Sequence, residues 1–220
     1  MIRTGSGDID INAGRSVQLL NHFATIYTAG TRVTNPTLDG AFDLPVINQT
    51  GGEITLGANQ QPTAFPALYS MAGGHVSINA QENIEHLTRN NAGQLVADSQ
   101  RELPNNWLYR RGFIDPIMGE YGIGRFNDVT TTSWWIDFSN FFQGIGALGG
   151  GDVTLIAGRD ISNVDAVIPT NARMPKGGLG TSSLLELGGG NLLVQAGNNI
   201  DAGVYYVERG QGTLTAGNEI

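Results

Sequence analysis

Gly149-Gly150-Gly151-Asp152-Val153-Thr154-Leu155-Ile156-Ala157-Gly158-Arg159-Asp160-Ile161 is the stretch on which the fold turns. A glycine turn releases into residues of alternating character. Strand side chains alternate faces, so Val153, Leu155 and Ala157 point one way and Asp152, Thr154 and Ile156 the other. Gly158 then offers a residue able to take a left-handed turn conformation. Ile161 returns to the apolar side.

The phrase recurs. Copies open at Gly7, Gly74, Gly190 and Gly210, with a partial copy at Gly52 (Ile54, Leu56, Ala58) and a weaker one between Thr25 and Val33. Aligned, one column reads Ile11, Leu56, Ile78, Leu155, Val194, Leu214. The next reads Ala13, Ala58, Ala80, Ala157, Ala196, Ala216. Columns of this kind mark a repeat architecture. Gly190 and Gly210 are 20 residues apart and Gly52 and Gly74 are 22 apart, the length of one unit. The 39 residues from Gly151 to Gly190 and the 45 from Gly7 to Gly52 read as two units each. A unit this short cannot bury its own apolar face and must stack on its neighbours. It has no room for a helix. The expected fold is therefore all-β, a parallel β-helix (β-solenoid) with in-register strands ~4.8 Å apart. A leucine-rich repeat would show a Leu-x-x-Leu-x-Leu pattern that is missing, and an antiparallel sandwich gives no reason for identical columns.

Composition narrows the function classes. The chain has 220 residues, enough for one elongated domain with a sizeable core. Its 32 glycines and 8 prolines answer the demand for turns. A net charge of −8 with only 12 Lys and Arg argues against a nucleic-acid footprint. The absence of cysteine excludes disulfides and thiolate metal sites. No apolar run approaches the ~18 residues of a membrane span, and no signal peptide is visible. One copy starts almost at the first residue and another ends at the last. The expectation is that 1–220 is a single segment cut from a longer chain.

Between Ile84 and Gly151 the phrase is missing, and this interval holds all three tryptophans, Trp107, Trp134 and Trp135. We read 88–148 as an insertion that leaves the repeat and packs its aromatics on the flank. Thr132-Ser133 followed by Trp134, Trp135, Phe138, Phe141 and Phe142 fits a short capped helix with an aromatic face. Gln94 to Leu103 is a second short helix candidate. Residues 34–50 are turn-rich and read as a loop, after which the repeat resumes at Gly52.

The repeated Gly-Asp-Val-Thr-Leu-x-Ala-Gly-Arg-Asp-Ile phrase resembles the filamentous haemagglutinin family, large bacterial exoproteins exported by two-partner secretion. Asn106–Gly112, Ser133–Phe138, Gly146–Gly151 and Asn163–Arg173 resemble a region of unassigned function found in some members. The resemblance implies a right-handed β-helix, a secreted or cell-surface location, and roles in adhesion, biofilm or contact-dependent systems. It implies a host or neighbouring-cell surface protein or glycan as partner, and an outer-membrane transporter for the full-length parent. It supplies no catalytic residue.

The residues themselves offer few chemical sites. Gly144-Ile145-Gly146-Ala147-Leu148-Gly149 matches Gly-x-Gly-x-x-Gly, but a dinucleotide site needs a strand before it and a helix after. Gly177 to Leu185 resembles one calcium nonapeptide, with Ser182 where Asp is required and no second copy to share a cage. His22, His75 and His86 lack ligand spacing and read as solvated or loop residues. No cofactor, metal or catalytic residue is expected. Asp152, Asp160 and Asp165, with Asp8 and Asp10, keep open the alternative of a carbohydrate-active β-helix enzyme, a polysaccharide lyase or hydrolase. Against it, Asp and Asn at turns usually satisfy backbone groups. The better candidates for recognition are Trp107, Tyr109, Arg110 and Arg111, since exposed Trp, Tyr and Arg anchor sugars and protein partners.

Overall fold

The computed structural model describes residues 1–21, 23–31, 43–45, 64–66, 71–99, 109–114, 121–122, 133–136, 144–173 and 185–220. Among them every regular element is a strand. Three sheets are built from parallel pairs. The first contains Ile9–Ala13, Val76–Ala80, Val153–Ala157, Leu192–Ala196 and Gly212–Ala216, in that order. The second contains Val17–Leu19, Ile84–Arg89, Ile161–Ser162 and Ile200–Asp201. The third contains Ile2–Thr4, Thr25–Thr28, Gly144–Ala147, Ala166–Ile168 and Tyr205–Val207. The chain visits first, second and third sheet in turn, and then returns to the first. We call each such visit a pass.

Apart from Leu56 and Ala58, which lie outside the described residues, the columns seen in the sequence are the register of the first sheet. Ile11 pairs with Ile78, Ile78 with Leu155, Leu155 with Val194, and Val194 with Leu214. Ile78, Leu155 and Val194 are fully buried, as are Ile84 and Ile161 at the start of the second sheet and Ile145 in the third. Each such side chain stabilises the fold by about 1.5–3 kcal/mol relative to an exposed one. Alternate residues of Val76–Ala80 and Val153–Ala157 are buried, which is the period of a strand with one face on the core.

Neighbours in space differ from those the spacing suggested. Ile9–Ala13 pairs directly with Val76–Ala80, so no place is left between them for the copy at Gly52. Residues 51–63 lie outside the described residues. Val153–Ala157 likewise pairs directly with Leu192–Ala196. The 39 residues separating them are one pass with an excursion rather than two units. The weak copy after Thr25 is a strand of the third sheet. Gly144–Ala147, inside the span 88–148, pairs with Thr25–Thr28 and Ala166–Ile168 and closes the pass that began at Val76.

The glycines are set by close stacking. Gly151 has φ +126°, and a Cβ on it would stand 2.5 Å from the Gly74 carbonyl oxygen of the preceding pass. Gly158 has no left-handed conformation, contrary to the expectation. It is glycine because a Cβ there would stand 2.1 Å from the carbonyl oxygen of Gln81.

A separate antiparallel sheet is assembled from the excursions, in the order Tyr121–Gly122, Tyr109–Ile114, Ser133–Ile136, Thr170–Arg173, Leu185–Gly188. The expected helix over Thr132 to Phe142 is corrected here: Ser133–Ile136 is a strand, and 137–143 lie outside the described residues. Trp, Ile and Ser next to a pairing partner satisfy their backbone as a strand, and aromatic and β-branched residues favour that state. The helix expected from Gln94 is corrected too, since Leu95–Ala97 returns antiparallel on Leu87–Arg89. Asn90 makes that turn. Its Oδ1 accepts from Ala92 N–H and Gln94 N–H, both at 3.0 Å.

Candidate binding surface

Of the four recognition candidates, Trp107 lies outside the described residues. Tyr109, Arg110 and Arg111 open the strand Tyr109–Ile114 of the lateral sheet. Their register partners are Ile136, Trp135 and Trp134. Successive strand residues belong to opposite faces, so Arg110 and Arg111 do not share one. The Arg110–Trp135 pair is on one face and the Arg111–Trp134 pair on the other. In backbone register Arg110 is thus matched with Trp135 and Arg111 with Trp134. Trp134 is in turn the register partner of Ala172, which ties the insertion to the strand leaving the third sheet.

The lateral sheet is fastened to the last pass by Arg209. Its guanidinium donates to the carbonyls of Glu186 (3.1 Å) and Gly188, and lies 3.8 Å from the Glu186 carboxylate. Beside this join an open hollow of about 330 Å³ is lined by Met71 to Gly73, Gly149 to Gly151, Leu187, Gly188 and Arg209. Its walls are mostly glycine backbone, with Arg209 as the charged group.

The carboxylates have a different role. Asp8 Oδ1 accepts from the N–H of His75 (2.7 Å), and His75 Nδ1 accepts from the N–H of Asp152 (2.9 Å). Asp152 Oδ1 accepts from Asn191 N–H (2.7 Å), and Asn191 Oδ1 from Gln211 N–H (3.1 Å). Each side chain in this column satisfies a backbone donor one pass later. A second column does the same through Ser16, Asn83, Asp160, Asn199 and Glu219, with distances from 3.1 to 3.3 Å. Asp165, buried in a third position, accepts from Val204 N–H at 2.7 Å. Asp152 and Asp160 stand at opposite ends of the strand Val153–Ala157 and do not converge. His75 Nδ1 also lies 3.5 Å from the Asp152 carboxylate. A nitrogen that accepts a hydrogen bond carries no proton, so we read a neutral imidazole in the column and not an ion pair.

Sequence reading missed these columns as a class. The signal was present: Asp, His, Asn and Gln interchange at one position, and Ser, Asn, Asp and Glu at the other. What they share is a side-chain acceptor, not a charge.

His86 was expected near solvent and is instead 2% exposed. It lies two residues past Ile84 on Ile84–Arg89, so the strand period carries it inward. Its Nε2 donates to the Asn21 carbonyl (3.0 Å) and lies 3.8 Å from the equally buried Asp98 carboxylate. Asn163, at φ +59°, donates from Nδ2 to the carbonyls of His86 and Asp98, both at 2.9 Å. The cluster anchors the point where the chain leaves the second sheet for the insertion. His22 lies outside the described residues. No group of three or more His, Cys, Asp or Glu that could hold a metal ion is found among the described residues.

Comparison with protein-family models, with curated proteins and with solved structures finds no match to this chain.

Proposed function

We propose that the chain is a segment of a right-handed parallel β-helix that serves as a structural and adhesive stalk of a large secreted bacterial surface exoprotein of the filamentous haemagglutinin kind, without catalysis. The observation that carries this reading is the use of the repeat's polar side chains. Asp8, Asp152, Asp160 and Asp165 are each engaged with a backbone N–H of the next pass, so they serve stacking. Chain-long columns of acceptors suit a rod whose task is length. Recognition is then assigned to the part that departs from the columns, the lateral sheet with Tyr109, Arg110 and Arg111, together with Trp107. Its partner is a glycan or protein on a host or neighbouring cell, since paired cations and aromatics suit either.

Glycan-array and cell-binding measurements on the chain test this. Arg110→Ala and Arg111→Ala are made separately because they belong to opposite faces. One of them should weaken binding by roughly 30-fold, the size of a recognition anchor, and the other should do little. Binding that survives both, and also Trp107→Ala and Tyr109→Ala, would move adhesion to the parallel sheets. Release of unsaturated or reducing ends from acidic polysaccharides would replace the stalk with a lyase or hydrolase.

A further inference from the structure

One member of the acceptor columns differs from the rest in kind. Asp8, Asp152 and Asn191 in the first column, and Ser16, Asn83, Asp160 and Asn199 in the second, all accept through oxygen. A hydroxyl or an amide keeps its lone pairs near neutral pH, and a carboxyl group retains an acceptor oxygen in either protonation state. His75 accepts instead through Nδ1, from the N–H of Asp152 at 2.9 Å. An imidazole changes charge in the range of about pH 5 to 8, and with a proton added both of its nitrogens are donors. Among the described members of the two columns, His75 is thus the position where a proton turns the acceptor into a donor.

We infer that His75 is a proton-operated joint between two passes of the stack. The neutral ring holds the Asp152 N–H. The protonated ring sets a donor against that donor, and the contact breaks. The same residue offers a new acceptor. Its Oδ2 lies 3.5 Å from Nδ1, while its Oδ1 accepts from Asn191 N–H at 2.7 Å. The ring turns from the backbone of Asp152 to Oδ2, and Oδ1 keeps the bond to the following pass. The exchange is uneven. The two side chains are 58% and 44% exposed, and an ion pair so open to water contributes little, whereas the Asp152 N–H is released from its partner.

The surroundings confine the change to one corner. The charged groups facing His75 are Asp8 from the pass before and Asp152 from the pass after. Asp8 is held by the backbone N–H of His75 at 2.7 Å, which a proton on the ring leaves in place. Asp10 stands in register with Ser77, further along the strand, and Gly73, Gly74 and Val76 carry no charge. Among the described residues no Lys or Arg forms an ion pair with Asp8 or Asp152. The bond from Val76 N–H to the Asp152 carbonyl, 2.9 Å, keeps the two strands paired. What loosens is the turn before them, where Gly73 and Gly149 to Gly151 line the hollow. Arg209, which lines it too, is engaged with Glu186. Acid is therefore read at the rim of the hollow, and the inference stands apart from the adhesive reading.

Amide hydrogen exchange followed by NMR on the whole chain tests this. The Asp152 and Asn191 amides belong to one column and differ in their acceptors, His75 Nδ1 for the first and Asp152 Oδ1 for the second. The ratio of their exchange rates therefore removes the dependence on hydroxide that both share. On going from about pH 8 to about pH 5 the ratio should move roughly fivefold toward faster exchange at Asp152, over the range in which the His75 ring signals titrate. His75→Asn supplies the amide oxygen that Asn191 already uses in this column, and it should hold the ratio level. A level ratio in the parent would overturn the proposal. So would a ratio that moves where the His75 ring does not titrate. A ratio that shifts as much in His75→Asn would overturn it too, since a carboxylate would then be the source.

Discussion

The parallel sheets and the lateral sheet are made of the same kind of element and are specified in opposite ways. In the first sheet each position is one column, filled by Ile, Leu or Val in one place, Ala in the next, and a side-chain acceptor at the edge. Every strand there is interchangeable with its neighbour in chemistry. In the lateral sheet no position repeats. Tyr109–Ile114, Ser133–Ile136 and Thr170–Arg173 are joined by one-off pairings such as Trp134 with Ala172. A stack constrains each residue through the neighbours above and below, so its sequence is forced into columns. A lateral sheet outside the stack is free of that constraint and can carry residues chosen for something other than stacking.

The largest test of this contrast is Leu155→Asp. Leu155 is fully buried with apolar column partners on both sides, and nothing there can pair with a charge. The loss should be about 4–5 kcal/mol or more, enough to abolish the cooperative thermal transition followed by circular dichroism. A variant that melts like the parent would mean the column is not the core.

A smaller effect separates acceptor from charge in the polar columns. Asp152→Ala leaves the Asn191 N–H without its 2.7 Å acceptor and should lower stability by about 1 kcal/mol. Asp152→Asn keeps an oxygen in place and should lie within about 0.5 kcal/mol of the parent. Chemical denaturation distinguishes the two. Equal losses in both would show that the carboxylate charge matters, which would reopen the enzymatic reading.

The smallest expected effect is at the join between the two regions. Arg209→Ala removes a contact between side chains that are 48% and 32% exposed, and should change stability by under about 1 kcal/mol. Hydrogen exchange should nonetheless show Leu185–Gly188 opening more readily while Val153–Ala157 keeps its protection. Equal loosening of both would make the lateral sheet part of one cooperative unit with the stack.

Much of the stack was legible in the sequence because its period is written in residues that see the same environment on every pass. Inward Ile, Leu and Val, the Ala beside them and the glycine corners all answer to contacts that recur. The helix expected at Trp134 was not legible as a strand, because five aromatics in ten residues fit a helical face as well as an extended one. What turned Ser133–Ile136 into a strand is the pairing with Tyr109–Ile114. His86 was misplaced because the phrase ends at Ile84, and only the strand continuing to Arg89 extends the alternation inward.

By itself the sequence determined the all-β class and, for the copies at Gly7, Gly74, Gly151, Gly190 and Gly210, which residues form the columns and which of them face inward; the copy at Gly52 has no place between Ile9–Ala13 and Val76–Ala80. Tertiary structure alone decided which copies are neighbours. Asp8 bonds across 67 residues, His75 across 77, and Asp152 across 39, whereas Asn191 and Asn199 reach their partners at the 20-residue period. The reason is that closing a longer loop costs little more than closing a shorter one. An excursion of any length can therefore leave at a surface turn and return to the same register, and nothing in the local sequence records where it comes back.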